Sequence, residues 1–205
     1  MAYYYLMAQL PSLIYGQPAP MSSARFRELA GQALSPEDGA LLGSFTLNPL
    51  APVPAEASPK EGAPSGCEFL DRWREYEGAL RLNLAKYRGA KIKREVSADA
   101  PEYPADAAAA AKAAAAMESP LEAELFLDES RWRAIDLFQG LNYFDRNTVY
   151  AYLLKLLLLE RRSCFRTEEG FAEYKGLYAA VMGAAGSGAF APAGTSSSNE
   201  SGEPK

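Results

Sequence analysis

The side chains that enzymes use most often for acid–base and metal chemistry are missing from this 205-residue chain or scattered along it. Histidine is absent, which removes the commonest general base and the commonest metal ligand. The two cysteines, Cys67 and Cys164, lie far apart. The motifs HExxH, CxxC, GxGxxG and GxxxxGKS/T do not occur, so zinc-protease, redox and nucleotide-loop chemistry lack their minimal parts. We therefore expect a protein that is not an enzyme and that uses no metal or other cofactor.

The acidic residues form no pair placed for catalysis. Glu168 and Glu169 fall in the first turn of a predicted helix, where carboxylates complement the helix dipole, and Glu122 and Glu124 flank another helix start. The glycine-rich stretch 183–188 follows a helix, whereas a phosphate-binding loop precedes one. An enzyme is thus the third interpretation, and its signature would be a deep pocket lined by carboxylates with shifted pKa values.

One basic cluster stands out from the rest of the sequence. From Arg81 to Arg94 the chain carries six Lys or Arg residues and no acid. Arg74, Arg81 and Arg88 are spaced by seven residues, which places them in one row of a helix. The row is either a contact for an acidic partner surface or a solvated helix flank that Glu77 partly neutralises. The candidate partner-contact residues are Arg74, Arg81, Arg88, Lys91, Lys155 and Arg162.

The overall charge and the apolar pattern limit the class of protein. A net charge of −5 argues against a general nucleic-acid binder, whose affinity comes from neutralising phosphates. Two isolated cysteines are typical of a reducing compartment, and the N-terminus lacks the basic region of a signal peptide. The leucine run 156–159 is too short to span a bilayer, even with the apolar residues 151–154 before it. We expect a cytoplasmic protein without a membrane span.

The spacing of apolar residues predicts an all-α fold, a compact multi-helix bundle in a single domain over residues 1–182. Residues 1–16 predict a short helix or an extended arm, and the triplet Tyr3–Tyr5 is more typical of packing than of base stacking. A helix from Ser22 or Ser23 to Leu34 should bury Phe26 and Leu29. The segment 35–38 (SPED) starts another helix, because a capping serine, a proline and two acids suit a helix N-terminus.

A proline-rich insertion over 48–66 separates these helices from a long amphipathic one that begins near Cys67. The alanine-rich stretch 98–118 has high helix propensity but little apolar bulk, which predicts a helical spacer. The apolar face of the long helix repeats every three or four residues and consists of Phe69, Trp73, Tyr76, Leu80, Leu84 and Tyr87.

Three helices are predicted in the C-terminal part. The first is capped by Asp128 or Ser130 and ends at Gly140. The second starts at Asp145 and should be the buried centre of the bundle, with only the strip of Thr148, Ala151, Lys155 and Arg162 polar. The third follows Thr167, and residues 183–205 should form a disordered tail. The residues expected to be buried in the first and third of these helices are Trp132, Ile135, Phe138, Phe171, Tyr174, Tyr178 and Val181.

Several stretches resemble an uncharacterised bacterial family that is encoded beside rotary ATPases of the vacuolar/archaeal (V/A) type. They are YYYLMAQLPSL, RWREYEGALRLNLAKYRGAKI, and SPLEAELFLDESRWRAIDLF followed by YFDRNTVYAYLLKLLLLERRSCFRTEEGFAEY, and together they cover over half of the chain. That family is similar to a shortened form of the central-stalk component designated C (or d in eukaryotes), an all-helical protein that sits on the membrane rotor ring. The segment 151–161 (AYLLKLLLLER) carries the shared pattern.

The resemblance implies a non-catalytic structural or accessory subunit of an ion-translocating rotary ATPase. Such a subunit would be peripheral on the cytoplasmic face of the membrane and would contact other ATPase subunits at the stalk or the rotor ring. A free-standing helical adaptor or regulatory protein unrelated to the ATPase is the alternative, and the identity of the neighbouring genes separates the two.

Overall fold

A computed structural model describes residues 3–47, 65–93, 103–165 and 167–186. Within these ranges the chain forms eight α-helices and no strand, which confirms the all-α class. The chain divides into two units, residues 1–164 and 165–205, and α8 belongs to the second. A single domain over 1–182 therefore stays a prediction. The helices are α1 (Tyr4–Gln9), α2 (Ser23–Ala33), α3 (Pro36–Leu42), α4 (Glu68–Lys91), α5 (Ala105–Ala116), α6 (Pro120–Gln139), α7 (Arg146–Ser163) and α8 (Thr167–Gly186).

Side-chain caps fix the starts of α2, α3 and α7, as the sequence predicts. The Ser22 side chain accepts a hydrogen bond from the Arg25 amide at 3.2 Å, and the Ser35 side chain accepts one from the Asp38 amide at 3.3 Å. The Asp145 carboxylate accepts one from the Thr148 amide at 3.0 Å. Each cap satisfies an amide that the first helical turn leaves without a partner.

The core lies where α4, α6 and α7 meet. Phe69, Trp73, Tyr76 and Leu80 of α4 are buried, which confirms the predicted face of this helix. On α7, the apolar residues of the segment 149–156 are buried because α2 and α6 pack against this helix. The predicted polar strip of α7 is partly wrong, since Thr148 and Ala151 are also buried. Thr148 is satisfied there by donating a hydrogen bond from its hydroxyl to the Asn142 carbonyl at 2.6 Å.

The alanine-rich helix α5 is part of the packed body, and its prediction as a spacer is wrong. Ala107 and Ala111 are fully buried, and α5 packs against both α4 and α6. Alanine brings little apolar area, but it lets neighbouring helix backbones approach closely, so that α5 docks by contact along its backbone. Residues 98–102 lie outside the described ranges.

Helix α6 begins earlier than the sequence predicts. Its N-cap is Ser119, whose side chain accepts a hydrogen bond from the Glu122 amide at 3.3 Å, and its first residue is Pro120. Asp128 and Ser130 lie in the middle of the helix, so neither caps it. The predicted end is correct, because Gly140 follows with a φ of 73°, a conformation that favours glycine. Ile135 is buried as predicted, whereas Trp132 and Phe138 are half-buried.

The first helix packs on the body through Tyr3 and Leu6. The buried Tyr3 hydroxyl donates a hydrogen bond to the Asp38 carboxylate, while Tyr4 and Tyr5 are exposed, so the packing predicted for the tyrosine triplet holds for Tyr3 alone. Among the described residues, no helix combines the length and the apolar character that crossing a bilayer requires.

The second unit consists, in its described part, of α8. The prediction that this helix buries its apolar residues is wrong, since Phe171, Tyr174, Tyr178 and Val181 are all exposed. The helix also continues to Gly186, past the predicted boundary of the tail at residue 183. The rest of the predicted tail, 187–205, and most of the proline-rich insertion, 48–64, lie outside the described ranges.

A candidate partner-binding surface and the ion pairs that build it

The three arginines of the α4 row have different surroundings. Arg74 is exposed to solvent. Arg81 is engaged within the protein, because its Nε donates to Glu77 Oε1 at 2.6 Å and its Nη2 donates to the Leu47 carbonyl at 2.9 Å. Arg88 lies at the exposed end of α4, and its Nη2 donates to Glu124 Oε1 of α6 at 2.9 Å. The regular spacing is real, but the row does not act as one free surface.

Glu124 brings the ends of three helices together. Its Oε1 accepts from Arg88 of α4, and its Oε2 accepts from Arg161 Nη2 of α7 at 2.7 Å. Lys91, one helical turn after Arg88, is exposed, and Arg162 follows Arg161 directly. We call this group of four cations, Arg88, Lys91, Arg161 and Arg162, the basic pole. Three of its members are candidate contact residues from the sequence, and Arg161 joins them through Glu124.

The segment after α1 is fastened beside the basic pole. The Arg162 guanidinium lies over the Tyr15 ring, 5.1 Å from its centroid. The Tyr15 hydroxyl donates a hydrogen bond to the Leu125 carbonyl of α6 at 2.8 Å, and burial raises the pKa of this phenol, which stays neutral. Arg162 is therefore held against a fixed aromatic ring, a cation–π geometry that orients its charge.

Two carboxylates at this end of the bundle, besides Glu124, are used inside the protein. Glu160 Oε1 accepts a hydrogen bond from the Ser23 amide at the start of α2, at 2.6 Å. Asp128 is 1% exposed, so its charge is shielded from solvent. Asp128 also lies 3.7 Å from Arg161 Nη1, within the basic pole itself. Arg88 and Lys91 are the exposed cations of the basic pole, in a protein whose net charge is −5.

A buried ion-pair cluster braces the helices behind the basic pole. Arg131 of α6 is 4% exposed and donates to both oxygens of Glu77 on α4, at 2.9 and 3.2 Å. Its third contact runs from Nη1 to Asp128 Oδ1 at 2.9 Å. Arg161 Nη1 lies 3.7 Å from the same Asp128 oxygen, which extends the cluster to α7. We call Glu77, Asp128 and Arg131 the buried triad.

Charge and burial oppose each other within the buried triad. Burial lowers the pKa of Arg131, but the adjacent Glu77 and Asp128 carboxylates outweigh it and leave this pKa above its usual value. Burial also raises the pKa of Asp128, against the opposing effect of Arg161 and Arg131, and Asp128 Oδ2 has no hydrogen-bond partner. Together with Arg161 of α7, the buried triad holds three helices in one register, and removing Arg131 would leave two carboxylates in the interior without their shared cation.

The spacing of charged residues in α6 indicates the buried triad, but the predicted start of this helix at Asp128 or Ser130 concealed that spacing. Glu124, Asp128 and Arg131 are spaced i, i+4 and i+7, which places them on one face of a helix. The same face continues to Ile135, a core residue, so Asp128 and Arg131 point inward, while Glu124 lies at the partly exposed start of this face. The prediction of Asp128 as a helix cap hid this pattern.

Lys155 lies apart from the basic pole. Its Nζ contacts Asp136 Oδ1 at 2.5 Å and lies 5.3 Å from the centroid of the Trp132 ring. Its side chain is mostly buried, and it lines a small cleft of about 200 Å³ with Thr148 and Tyr152. The structure therefore does not bring this candidate contact residue together with the others.

Clefts and groups of possible metal ligands bear on the enzyme interpretation. A larger apolar cleft of about 460 Å³ lies between α5 and α6, and the one carboxylate that lines it is Asp106. In the described part of the chain, no three His, Cys, Asp or Glu side chains are grouped so as to hold a metal ion.

Comparisons with protein-family models, with curated proteins and with solved structures find no match to this chain.

Proposed function

We propose that this chain is a non-catalytic structural or accessory subunit of a V/A-type ion-translocating rotary ATPase. In this proposal it binds another subunit, at the central stalk or the rotor ring, through the basic pole. It would be peripheral on the cytoplasmic face of the membrane. The observation that carries the proposal is the clamp of Glu124 on Arg88 and Arg161, which assembles a cationic surface on a braced helical body. The sequence resemblance supplies the identity of the complex.

The proposed mechanism is mechanical. Complementary charge on an acidic partner surface speeds association and sets the register of the two proteins. The buried triad and the Glu124 clamp tie α4, α6 and α7 together, so that a load applied at the basic pole passes into the packed core. A part that transmits force or fixes an assembly needs a stiff body and a specific contact, and it needs no reacting groups.

Reversing charge at the basic pole tests the proposal. The double variant Lys91→Glu/Arg162→Glu leaves Arg88, Arg161 and their clamp on Glu124 unchanged, so the fold should survive. We expect co-purification of ATPase subunits with the tagged full-length chain to fall at least tenfold, with an unchanged helical circular-dichroism spectrum. Since exposed charges are screened by salt, wild-type binding should also weaken as ionic strength rises.

The matched control is Arg25→Glu/Arg133→Glu, which changes the net charge equally at two exposed arginines that pair with glutamates on their own helices. This control should co-purify like the wild type. The variant Arg74→Glu tests separately whether Arg74, the exposed first arginine of the α4 row, contributes to binding of the ATPase subunit. Docking through this surface is contradicted if both double variants lose co-purification of ATPase subunits equally, or if Lys91→Glu/Arg162→Glu loses none. A complex that depends on the basic pole but contains no ATPase subunit would favour the free-standing adaptor.

A further inference from the structure

Exposed aromatic side chains gather where α1 meets the turn between α6 and α7. The Tyr3 amide donates a hydrogen bond to the Phe144 carbonyl, and the Tyr4 and Phe144 rings lie 4.6 Å apart between centroids. Tyr5 follows Tyr4, and Leu141 and Tyr143 lie in the same turn as Phe144. We call these five residues the aromatic patch: Tyr4, Tyr5, Leu141, Tyr143 and Phe144, exposed by 62, 82, 89, 62 and 42%.

The aromatic patch stands on a fixed support. Gly140, with a φ of 73°, turns the chain out of α6. The Thr148 hydroxyl donates to the Asn142 carbonyl at 2.6 Å, which closes the turn against the start of α7. On the other side, the Tyr3 hydroxyl anchors α1 to Asp38. Surface that is already held in place loses little conformational entropy on binding.

The aromatic patch is large enough for a stable interface between two copies. Since an aromatic side chain buries about 150–250 Å² when it is fully covered, its four partly exposed rings offer roughly 500 Å². The nearly fully exposed Leu141 adds to this area. Two such surfaces facing each other would bury more than about 1,000 Å², the least area expected of a specific contact. An exposed apolar patch of this size often marks an interaction site.

The neutral surface of the aromatic patch suits a second copy of this acidic chain as the occupant. The ionic groups beside the aromatic patch are satisfied within the chain: Arg146 pairs with Asp38 at 3.6 Å, and Asp145 accepts hydrogen bonds from the Thr148 amide and hydroxyl. The patch itself is neutral, although the protein carries a net charge of −5. Two acidic copies can meet at this neutral patch without like charges in contact.

We propose that the aromatic patch is the interface of a symmetric homodimer. A twofold axis through the patch places the same rings of both copies against each other, where tyrosines pack in offset or edge-to-face pairs with their hydroxyls toward the rim. This inference does not depend on the proposed function, because the basic pole lies at the start of α6 and the patch follows its end. Helix α6 has 20 residues, so the two surfaces are separated by about 30 Å.

Sedimentation velocity of the full chain over a range of concentrations tests the dimer. We expect a concentration-dependent dimer for the wild type, and at least tenfold weaker association for Tyr5→Glu and for Leu141→Glu. These two side chains are the most exposed of the aromatic patch, so the fold should tolerate the change. The control is Ile92→Glu at the end of α4, 69% exposed, which should dimerise like the wild type.

Two results would overturn the homodimer: a monomer at every concentration, or a dimer that neither substitution at the aromatic patch weakens. Co-sedimentation with phosphatidylcholine vesicles that Tyr5→Glu abolishes would assign the patch to a lipid surface, and a monomeric chain that loses a different protein partner would assign it to that partner. Lys91→Glu/Arg162→Glu should still dimerise, which separates failure here from failure of the proposed function.

Discussion

Arg131 of α6 and Glu77 of α4 form a buried, bidentate ion pair, with Nε to Oε2 at 2.9 Å and Nη2 to Oε1 at 3.2 Å. The pair joins residues 54 positions apart in the sequence and fixes how the two longest helices of the body pass each other. Buried ion pairs of this kind often contribute more to the choice of one arrangement than to the free energy of unfolding. For a part proposed to act by its shape, a single fixed arrangement is what matters.

Replacing Arg131 with methionine should destabilise the fold strongly. Arg131→Met leaves Glu77 and Asp128 buried next to an apolar side chain, and removing one partner of a buried pair costs about 3–5 kcal/mol. The comparison is Arg133→Met, whose exposed pair with Glu129 lies on the surface of the same helix and should cost under about 1 kcal/mol. Urea unfolding followed by circular dichroism measures both free energies of unfolding.

The triple variant Glu77→Leu/Asp128→Leu/Arg131→Met separates the two roles of the buried triad. Because all three charges leave the interior together, most of the stability lost in Arg131→Met should return. Its near-ultraviolet circular dichroism and the dispersion of its amide signals report whether one packed arrangement survives. A triple variant no more stable than Arg131→Met contradicts the explanation by unpaired buried charge.

The buried tyrosines predict a loss of stability at alkaline pH. Burial raises the pKa of Tyr76 to about 12, and that of Tyr152 also to about 12, whereas a tyrosine in the unfolded chain has a pKa of about 10. The unfolded state therefore releases these protons first. The stabilisation is complete below about pH 10 and is lost as the pH rises from there to about 12, at about 1.4 kcal/mol per pH unit for each tyrosine.

Tyr76→Phe removes one of these titrating groups while keeping the ring in the core. The variant should match the wild type near neutral pH and lose stability less steeply above pH 10, by about 1.4 kcal/mol per unit. Urea unfolding at a series of pH values measures the slope. Tyr5→Phe changes a ring that is 82% exposed and serves as the control. If Tyr76→Phe follows the wild-type slope, proton release from Tyr76 does not contribute to alkaline unfolding.

Overpacking tests whether α5 is docked tightly. Ala111 is fully buried, so Ala111→Leu should force α5 away from its neighbours and cost about 1–3 kcal/mol. Ala109, exposed on the same helix, supplies the comparison, since Ala109→Leu adds the same atoms where there is room. Thermal or urea unfolding gives both values. Equal stability of the two variants would support the spacer that the sequence alone suggested.

Local chemistry in the sequence was sufficient to predict the helix starts and the amphipathic faces. Ser35 and Asp145 cap their helices as predicted, because a cap needs only a side-chain oxygen and amides three residues away. Ser22, one of the two predicted starts of α2, caps that helix in the same way. The buried face of α4 and the core position of α7 follow in the same way from apolar periodicity.

Tertiary packing decided the features that the sequence left open or led us to mispredict. The small side chain of Ala111 gives no indication in the sequence that α5 packs on the body. Its burial depends on how closely α4 and α6 approach α5. The partners of Arg81 and Arg88 are residues of other segments, Leu47 and Glu124, together with Glu77 on α4 itself. The three arginines, equivalent in the sequence, therefore differ in the structure. Arg81 is bonded within the protein, Arg88 pairs with Glu124, and Arg74 is exposed.

The most direct test of the central claim is the composition of the complex that contains this protein. The tagged full-length chain, expressed at its natural level, is isolated from native membranes in mild detergent, and its partners are identified by mass spectrometry. We predict that subunits of the rotary ATPase co-purify with the wild type and are lost with Lys91→Glu/Arg162→Glu. Isolation of the intact chain without any ATPase subunit, while the ATPase itself is recovered assembled in the same preparation, would contradict the account.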